Sequence, residues 1–230
     1  MQILTEYLLQ QQLSPHIAAD AAAKFRVYRD FLREQNELFN LTSITDPAEI
    51  ETKHFIDSLA ALPYLQGNVA DIGTGAGFPG LPLAIVKPSL SFTLIDSLQK
   101  RVHFLDELIG KLSLVNVRTL HARAEDLPKE KPYDTVVSRA VARLNTLCEY
   151  CLPFVRIGGR FIAYKSEDCD DELQEAQAAI RILGGTLETV QTVPLYGTDI
   201  VRKLIVIRKD TPTPSRYPRN GNKPKKQPLR

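Results

Sequence analysis

Residues 69–80, VADIGTGAGFPG, constrain the fold of this chain more than any other stretch. A short apolar run carrying one acid, Asp71, is followed by glycines at 73, 75, 77 and 80. The run reads as a buried strand, and the alternating glycines read as a loop almost without side chains. Such a loop lets a ligand rest against bare backbone, where a Cβ would collide with it. That points to a nucleotide-like ligand. A dinucleotide fingerprint is G-x-G-x-x-G. Counted from Gly73 and Gly75, its third glycine falls at position 78, which is Phe78. A nicotinamide dehydrogenase therefore fits poorly.

The pattern that does occur, G-x-G-x-G after an acid, resembles the S-adenosylmethionine loop of Rossmann-like methyltransferases. The rest of the chain is consistent with such a fold. From Asn68 onward short apolar runs alternate with amphipathic segments. Strands are predicted at 69–72, 91–96, 117–122, 133–138 and 160–165, and helices near 79–86, 98–112, 143–155 and 168–183. This alternation implies a parallel sheet covered by helices on both faces. Two further strand-like runs, 186–194 and 200–208, meet through Gly197 as a hairpin in place of a second Rossmann half. The expected fold class is α/β: a Rossmann-like class I methyltransferase with a mostly parallel seven-stranded sheet and a terminal antiparallel hairpin.

Residues 1–66 read as a helical extension. Ser14-Pro15 is an N-cap and first-turn pair, and Ile17, Ala21, Phe25, Tyr28 and Leu32 then form one apolar stripe. Asp46-Pro47-Ala48-Glu49 repeats the start signal with a capping-box acid, predicting a helix to about Leu62 that carries His54, Asp57 and Ser58. The sheet region is expected over 67–210 and a separate basic tail over 211–230. That tail holds Arg216, Arg219, Lys223, Lys225, Lys226 and Arg230 with no acid, whereas the remainder carries 23 basic against 27 acidic residues. A mildly acidic body with a basic tail suggests contact with a polyanion. Three cysteines, no secretory signal and no apolar run of membrane-spanning length point to a reducing, cytoplasmic setting.

Several residues are candidates for chemistry. Asp96 ends the second strand beside the glycine loop, where ribose hydroxyls need an acceptor; it is equally placed to cap the following helix. Ala124-Glu125-Asp126 follows the third strand, either along an adenine ring or as an acidic helix start. Ser138-Arg139 ends the fourth strand across the switch point, where an arginine suits phosphate, a carboxylate or a stacked base, or is simply solvated. Neither the Asn/Asp-Pro-Pro-aromatic cluster of amine methylation nor a cysteine nucleophile stands there. Cys148-x-x-Cys151 lies in a helical stripe without the histidines of a zinc site, so it reads as core and no metal is expected. His54 reads as a structural, hydrogen-bonded histidine that shares a helical face with Asp57 and Ser58.

Together, NLTSIT (40–45), HFIDSL (54–59), DIGTGAGFPG (71–80), KRVHFL (100–105), SRAVARL (138–144), GGRFIAYK (158–165) and YPRNGNKPKKQPL (217–229) closely resemble one family. It is the bacterial small-subunit rRNA guanine-N7 methyltransferases, or glucose-inhibited division protein B family. The resemblance implies a cytoplasmic enzyme that uses S-adenosyl-L-methionine to methylate guanine N7 in the decoding-region loop of 16S rRNA. Its substrate is naked rRNA or the small ribosomal subunit, and the protein is expected to be a monomer. It assigns Gly73, Phe78, Ala124, Glu125 and Arg139 to cofactor contacts, beside Gly75 and Asp96 from the loop reading, and gives Arg139 a role in orientation. Asp96 replaces the glutamate common in the family, and Lys165-Ser166 replaces Lys-Gly. Guanine N7 is a lone-pair nucleophile, so no general base is needed, which fits the motifs the chain lacks. Phe78 and Arg139 suit the target base as well as the cofactor. The tail cations Arg216, Arg219, Lys223, Lys225 and Lys226 are then RNA contacts, with Arg230 a sixth. Six phosphate contacts would give a salt slope near −4 on single-stranded RNA, at about 0.7 per contact, as an upper bound, since the resemblance implies that part of the tail packs on the body. Removing the tail is expected to weaken RNA binding and to leave cofactor binding intact. The alternatives are a non-catalytic RNA-binding protein and a small-molecule methyltransferase.

Overall fold

The computed structural model describes residues 2–11, 13–128 and 132–230. Seven strands form one sheet: β1 Asn68–Ile72, β2 Ser91–Asp96, β3 Val117–His121, β4 Tyr133–Arg139, β5 Val155–Ser166, β6 Gly185–Pro194 and β7 Val201–Lys209. Their order is β3-β2-β1-β4-β5-β7-β6. The first five are parallel, and β7 pairs antiparallel with both β5 and β6. The order reverses between β1 and β4, so the connections leaving their C-terminal ends run in opposite directions and leave the crevice in which such sheets bind ligands. The expected hairpin is present, and β7 enters between β5 and β6.

The helical segments fall close to their expected places, with two differences. The predicted 143–155 helix runs only over Leu144–Cys151; a tight turn at Leu152–Phe154 follows and β5 starts at Val155. Pro153 accounts for this, because it removes an N–H donor and clashes with the preceding turn. The helix starting at Pro47 ends at Leu59, and over Ile50–Ile56 it widens into a π-helical stretch. There the Asp57 N–H reaches the Thr52 carbonyl five residues back.

Two cores flank the sheet. One joins Leu4 and Leu8 of the first helix (Gln2–Gln10), Phe25, Tyr28 and Leu32 of the second (Pro15–Phe39), and the sheet residues Val69, Leu94, Ile162 and Val206. The helical extension is thus one wall of a shared core. On the other face Ile72, Ile95 and Phe161 pack with Leu147, Cys148 and Cys151. The three cysteines are free and buried, as a core reading requires, and burial pushes the thiols of Cys148 and Cys151 far up. Among the described residues no helix is long and apolar enough to cross a membrane.

The tail also packs on the body. Tyr217 and Pro224 are buried, and Leu229 lies against the second core.

Candidate active site

The glycine loop is fastened from every side. The N–H groups of Gly73 and Thr74 both donate to the Ile95 carbonyl, at 2.9 and 3.0 Å. Asp71 Oδ2 accepts from the Thr74 hydroxyl at 2.7 Å and from the Gly80 N–H at 2.8 Å, so this buried carboxylate staples both ends of the turn. Burial raises its pKa to about 7 despite those donors. Tyr28, from the second helix, donates its hydroxyl to the Ala76 carbonyl at 2.5 Å. The glycines serve different ends. A Cβ at Gly73 would lie 2.5 Å from a Val141 methyl, and one at Gly77 would lie 2.5 Å from the Tyr28 hydroxyl, so both are there for packing. Gly75, at φ +61°, faces open space, and there a ligand can meet bare backbone.

In front of the loop lies a cavity of about 430 Å³, walled by Gly73, Asp96, Ala124 and Glu125 and by Ala140-Val141 after β4. The size suits a small organic ligand. Asp96 is 3% exposed. Its Oδ2 accepts from the Gly75 N–H at 2.9 Å and from Arg101 at 3.2 Å, and its Oδ1 accepts from the Leu98 N–H at 2.9 Å. It therefore fixes the loop and caps the next turn at once. An ionised carboxylate accepts about four hydrogen bonds, so three donors leave room for a ligand hydroxyl. Gly221, Asn222 and Lys225 of the tail, with Tyr150, complete the lining.

A second cavity, about 410 Å³, opens beside the first and shares Ala140 with it. Ala140 holds a left-handed backbone, φ +58°, a conformation costing an alanine about 1–2 kcal/mol. Lys53, Arg139, Lys165 and Arg202 line this cavity with Asp57 and Glu172. Arg139 and Arg202 pair with Asp57, Lys165 pairs with Glu172 at 2.6 Å, and Lys53 pairs with Glu49 behind it, so four cations meet three carboxylates and one positive charge is in excess. Arg139 is fixed by the helical extension. It donates to Asp57 Oδ2 at 2.7 Å, to the Lys53 carbonyl at 3.2 Å and to His54 Nδ1 at 3.2 Å. Its guanidinium lies over the Phe78 ring at 5.1 Å, and His54 and Tyr28 stack on that ring at 4.3 and 5.3 Å. Lys53 and His54 of the π-helical stretch and Asp57 just after it meet at this one guanidinium, and such widenings are frequent at functional sites. Tyr164 locks the same segment to β5 through the Ser58 carbonyl, at 2.5 Å.

His54 completes a relay. Its Nε2 is 2.8 Å from Thr42 Oγ1, which also accepts from the Ile44 N–H. With Arg139 donating to Nδ1, the consistent tautomer carries its proton on Nε2. Burial and the neighbouring Arg139 lower the His54 pKa to about 3. Between pH 6.5 and about 3 the unfolded imidazole takes a proton that the folded one refuses. The stability from this group is complete above pH 6.5 and is lost as the pH falls toward 3. At about 1.4 kcal/mol per unit, moving from pH 8 to pH 5 removes about 1–2 kcal/mol through His54. His54→Gln lacks this loss, so urea titrations should show the stability gap between wild type and variant narrowing by that amount at pH 5. A gap that stays constant would mean His54 is not held neutral.

Of the residues expected at the cofactor, Gly73, Asp96, Ala124 and Glu125 share the first cavity; Gly75 is not in its lining but donates to Asp96, which is. Phe78 and the Arg139 side chain are not in that wall. The Phe78 ring is 6% exposed and enclosed by its stack, and Arg139 faces the second cavity. In the tail, Arg219 is spent on Glu149, with which it makes a two-pronged pair at 2.7 and 2.9 Å. Arg216 lies over Tyr217, and Lys223, Lys225, Lys226 and Arg230 are exposed. Thr42, Glu149, Glu172 and Asn222 carry no signal of their own in the sequence, although Thr42 lies within NLTSIT, Asn222 within YPRNGNKPKKQPL and Glu149 between the paired cysteines.

A 3-2-1-4-5-7-6 sheet with a glycine loop after β1 and an acid ending β2 defines the class I methyltransferase fold. Solved structures share it. Magnesium protoporphyrin IX methyltransferase of Synechocystis, with bound SAM, matches 79% of this chain and 97% of its own at TM-score 0.56 and 14% identity. TYW2 of M. jannaschii, in complex with AdoMet, matches 67% and 76% at TM-score 0.54 and 18% identity.

The family model GidB, rRNA small subunit methyltransferase G, matches residues 21–199. Ribosomal RNA small subunit methyltransferase G of Desulforamulus reducens is 48% identical over 213 residues, 89% of each chain. That of Alkaliphilus metalliredigens is 45% identical over 228 residues, 96% of this chain and 95% of its own. The chain belongs to the GidB family of rRNA small subunit methyltransferases.

Proposed function

We propose that the protein transfers the methyl group of S-adenosyl-L-methionine to N7 of one guanine in the decoding-region loop of 16S rRNA. The observation that carries this reading is the pair of cavities meeting at Ala140, one suited to the donor and one to a base. Gly73 and the bare backbone at Gly75 suit the amino-acid end of the donor, Asp96 a ribose hydroxyl, and Ala124-Glu125 the adenine. When bound, the donor supplies an electrophilic methyl on a sulfonium centre.

Guanine N7 carries an in-plane lone pair, so no proton need be removed before it attacks. The site agrees with this: the one histidine lining the second cavity has its Nδ1 lone pair taken by Arg139 and, with a pKa lowered to about 3, is a poor proton acceptor. The protein's work is alignment, which in well-oriented systems is worth up to about 7–11 kcal/mol. Arg139, immobilised by Asp57, Lys53 and His54, orients the flipped-out base, and the cations around it meet the flanking phosphates. Asp57 and Glu172 offset the positive charge that the base gains on methylation.

The test gives purified protein a labelled methyl donor with naked 16S rRNA and with small subunits, then maps the label by nuclease digestion and mass spectrometry. A single 7-methylguanosine is expected. Label on another base or atom would refute the N7 assignment, and donor binding with no transfer to either RNA would favour a non-catalytic role.

The outward tail cations are the proposed RNA contacts. Replacing Arg216, Lys223 and Lys226 together by alanine should flatten the salt slope by about 2, at 0.7 per phosphate contact. The check is RNA affinity measured across a series of salt concentrations. Parallel salt plots for variant and wild type would take the tail out of the RNA interface.

A further inference from the structure

The tail is built into the donor side of the molecule. Glu149 is fully buried, and Arg219 brings it three donors: the backbone N–H at 2.8 Å, Nε at 2.9 Å and a terminal nitrogen at 2.7 Å. The same guanidinium donates to the Gln227 carbonyl at 2.8 Å, closing residues 219–227 into a compact turn. Thr146 donates to the Pro224 carbonyl at 3.1 Å, and Pro224 is itself buried. Glu149 and Thr146 lie on the Leu144–Cys151 helix, which also carries Tyr150. The consequence of this seat is positional. It sets Asn222 and Lys225 among the residues that line the first cavity, a set that also holds Tyr150, Ala124 and Glu125. A tail serving only as an RNA clamp would have no need of a buried carboxylate beneath it.

We propose that residues 219–227 are part of the donor-binding site, with Asn222 and Lys225 closing the adenine end of the cavity. This rests on the reading of the first cavity as the donor site. It also replaces the expectation that tail and cofactor are independent. Two side chains of opposite exposure carry the assignment: Glu149 locks the turn from within, and Lys225, exposed at the rim, is free to fold over a ligand. Polar closure at that end adds hydrogen bonds to the ring's exocyclic and ring nitrogens and excludes water from the bound donor.

The test is calorimetry on the full chain with S-adenosylmethionine, S-adenosylhomocysteine and adenosine. Asn222→Ala/Lys225→Ala, changed only at exposed rim positions, should bind all three about five- to tenfold more weakly. Glu149→Gln, which unseats the turn, should weaken them more than tenfold. Hydrogen exchange reads the tail directly: in the wild-type chain, amides of 219–227 should slow when S-adenosylhomocysteine is added. Unchanged affinity in the folded rim variant, with no protection of those amides, would overturn the inference whatever the behaviour of Glu149→Gln. Failure of the wild-type chain to bind any of the three ligands would overturn the donor reading itself, and this inference with it.

Discussion

Asp96→Ala should lower affinity for S-adenosylmethionine by about a hundredfold. The carboxylate holds the Gly75 N–H and the Leu98 N–H and has acceptor capacity left for a ribose hydroxyl. A hydrogen bond to a charged group contributes about 1.5–3 kcal/mol. Losing one such bond and loosening the loop beside it comes to about 3 kcal/mol, two powers of ten in dissociation constant. Asp96→Asn keeps the size but turns an NH2 toward donors already present, so its loss should be comparable. Calorimetry on the purified variants decides the matter, and an affinity equal to wild type would remove Asp96 from the site.

Arg139→Met should leave donor affinity within about threefold of wild type and lower single-turnover methyl transfer by about 10²-fold. The side chain lies outside the donor cavity, so binding there persists. What disappears is the fixed donor that orients the base, and misplacing a reactant by about 1 Å costs on the order of 10²-fold in rate. Methionine keeps an apolar stem over Phe78. Stability falls as well, because Asp57 keeps only Arg202, whose Nε is 3.4 Å away, as a charged partner. Breaking a buried pair costs about 3–5 kcal/mol when nothing compensates, so thermal melting accompanies the kinetics. Weakened donor binding with an unchanged transfer rate on saturation would refute the assignment of Arg139 to the acceptor side.

The parts of this molecule legible in the sequence are those written in local pattern. Ser14 and Asp46 cap helices where expected, with Asp46 accepting from both Ala48 and Glu49. Strand periodicity gave the sheet, and the position of Asp96 at the end of its strand followed from it. The cysteine pair sat in a helical stripe and proved to be core. Features made by distant residues left no local trace. His54 and Arg139 are 85 positions apart, and Glu149 and Arg219 are 70 apart. Nothing in LNTLCEYC distinguishes Glu149 from a solvated glutamate, since its burial exists only once the tail is seated. The π-helical stretch leaves no mark either, because IETKHFI carries no proline or glycine to break the regular turn. Phe78 stood out by spacing, yet its role is set by rings from 28 and 54.

The two cavities draw their rigidity from different sides of the sheet. Ile72, Ile95, Ala124 and Tyr150 tie the donor cavity to the core that contains Leu147 and Phe161. Phe78, Tyr28 and Tyr164 tie the Arg139 side to the core that contains Leu8 and Phe25. A cavity-making change far from the chemistry is therefore selective. On the proposed reading, thinning Leu147 or Phe161 should erode retention of the methyl donor, whereas thinning Leu8 or Phe25 should leave the donor bound but present the base at a poorer angle. Under that assignment, core residues with no contact to either ligand would divide into those that govern how tightly the methyl donor is held and those that govern how fast its methyl is passed on.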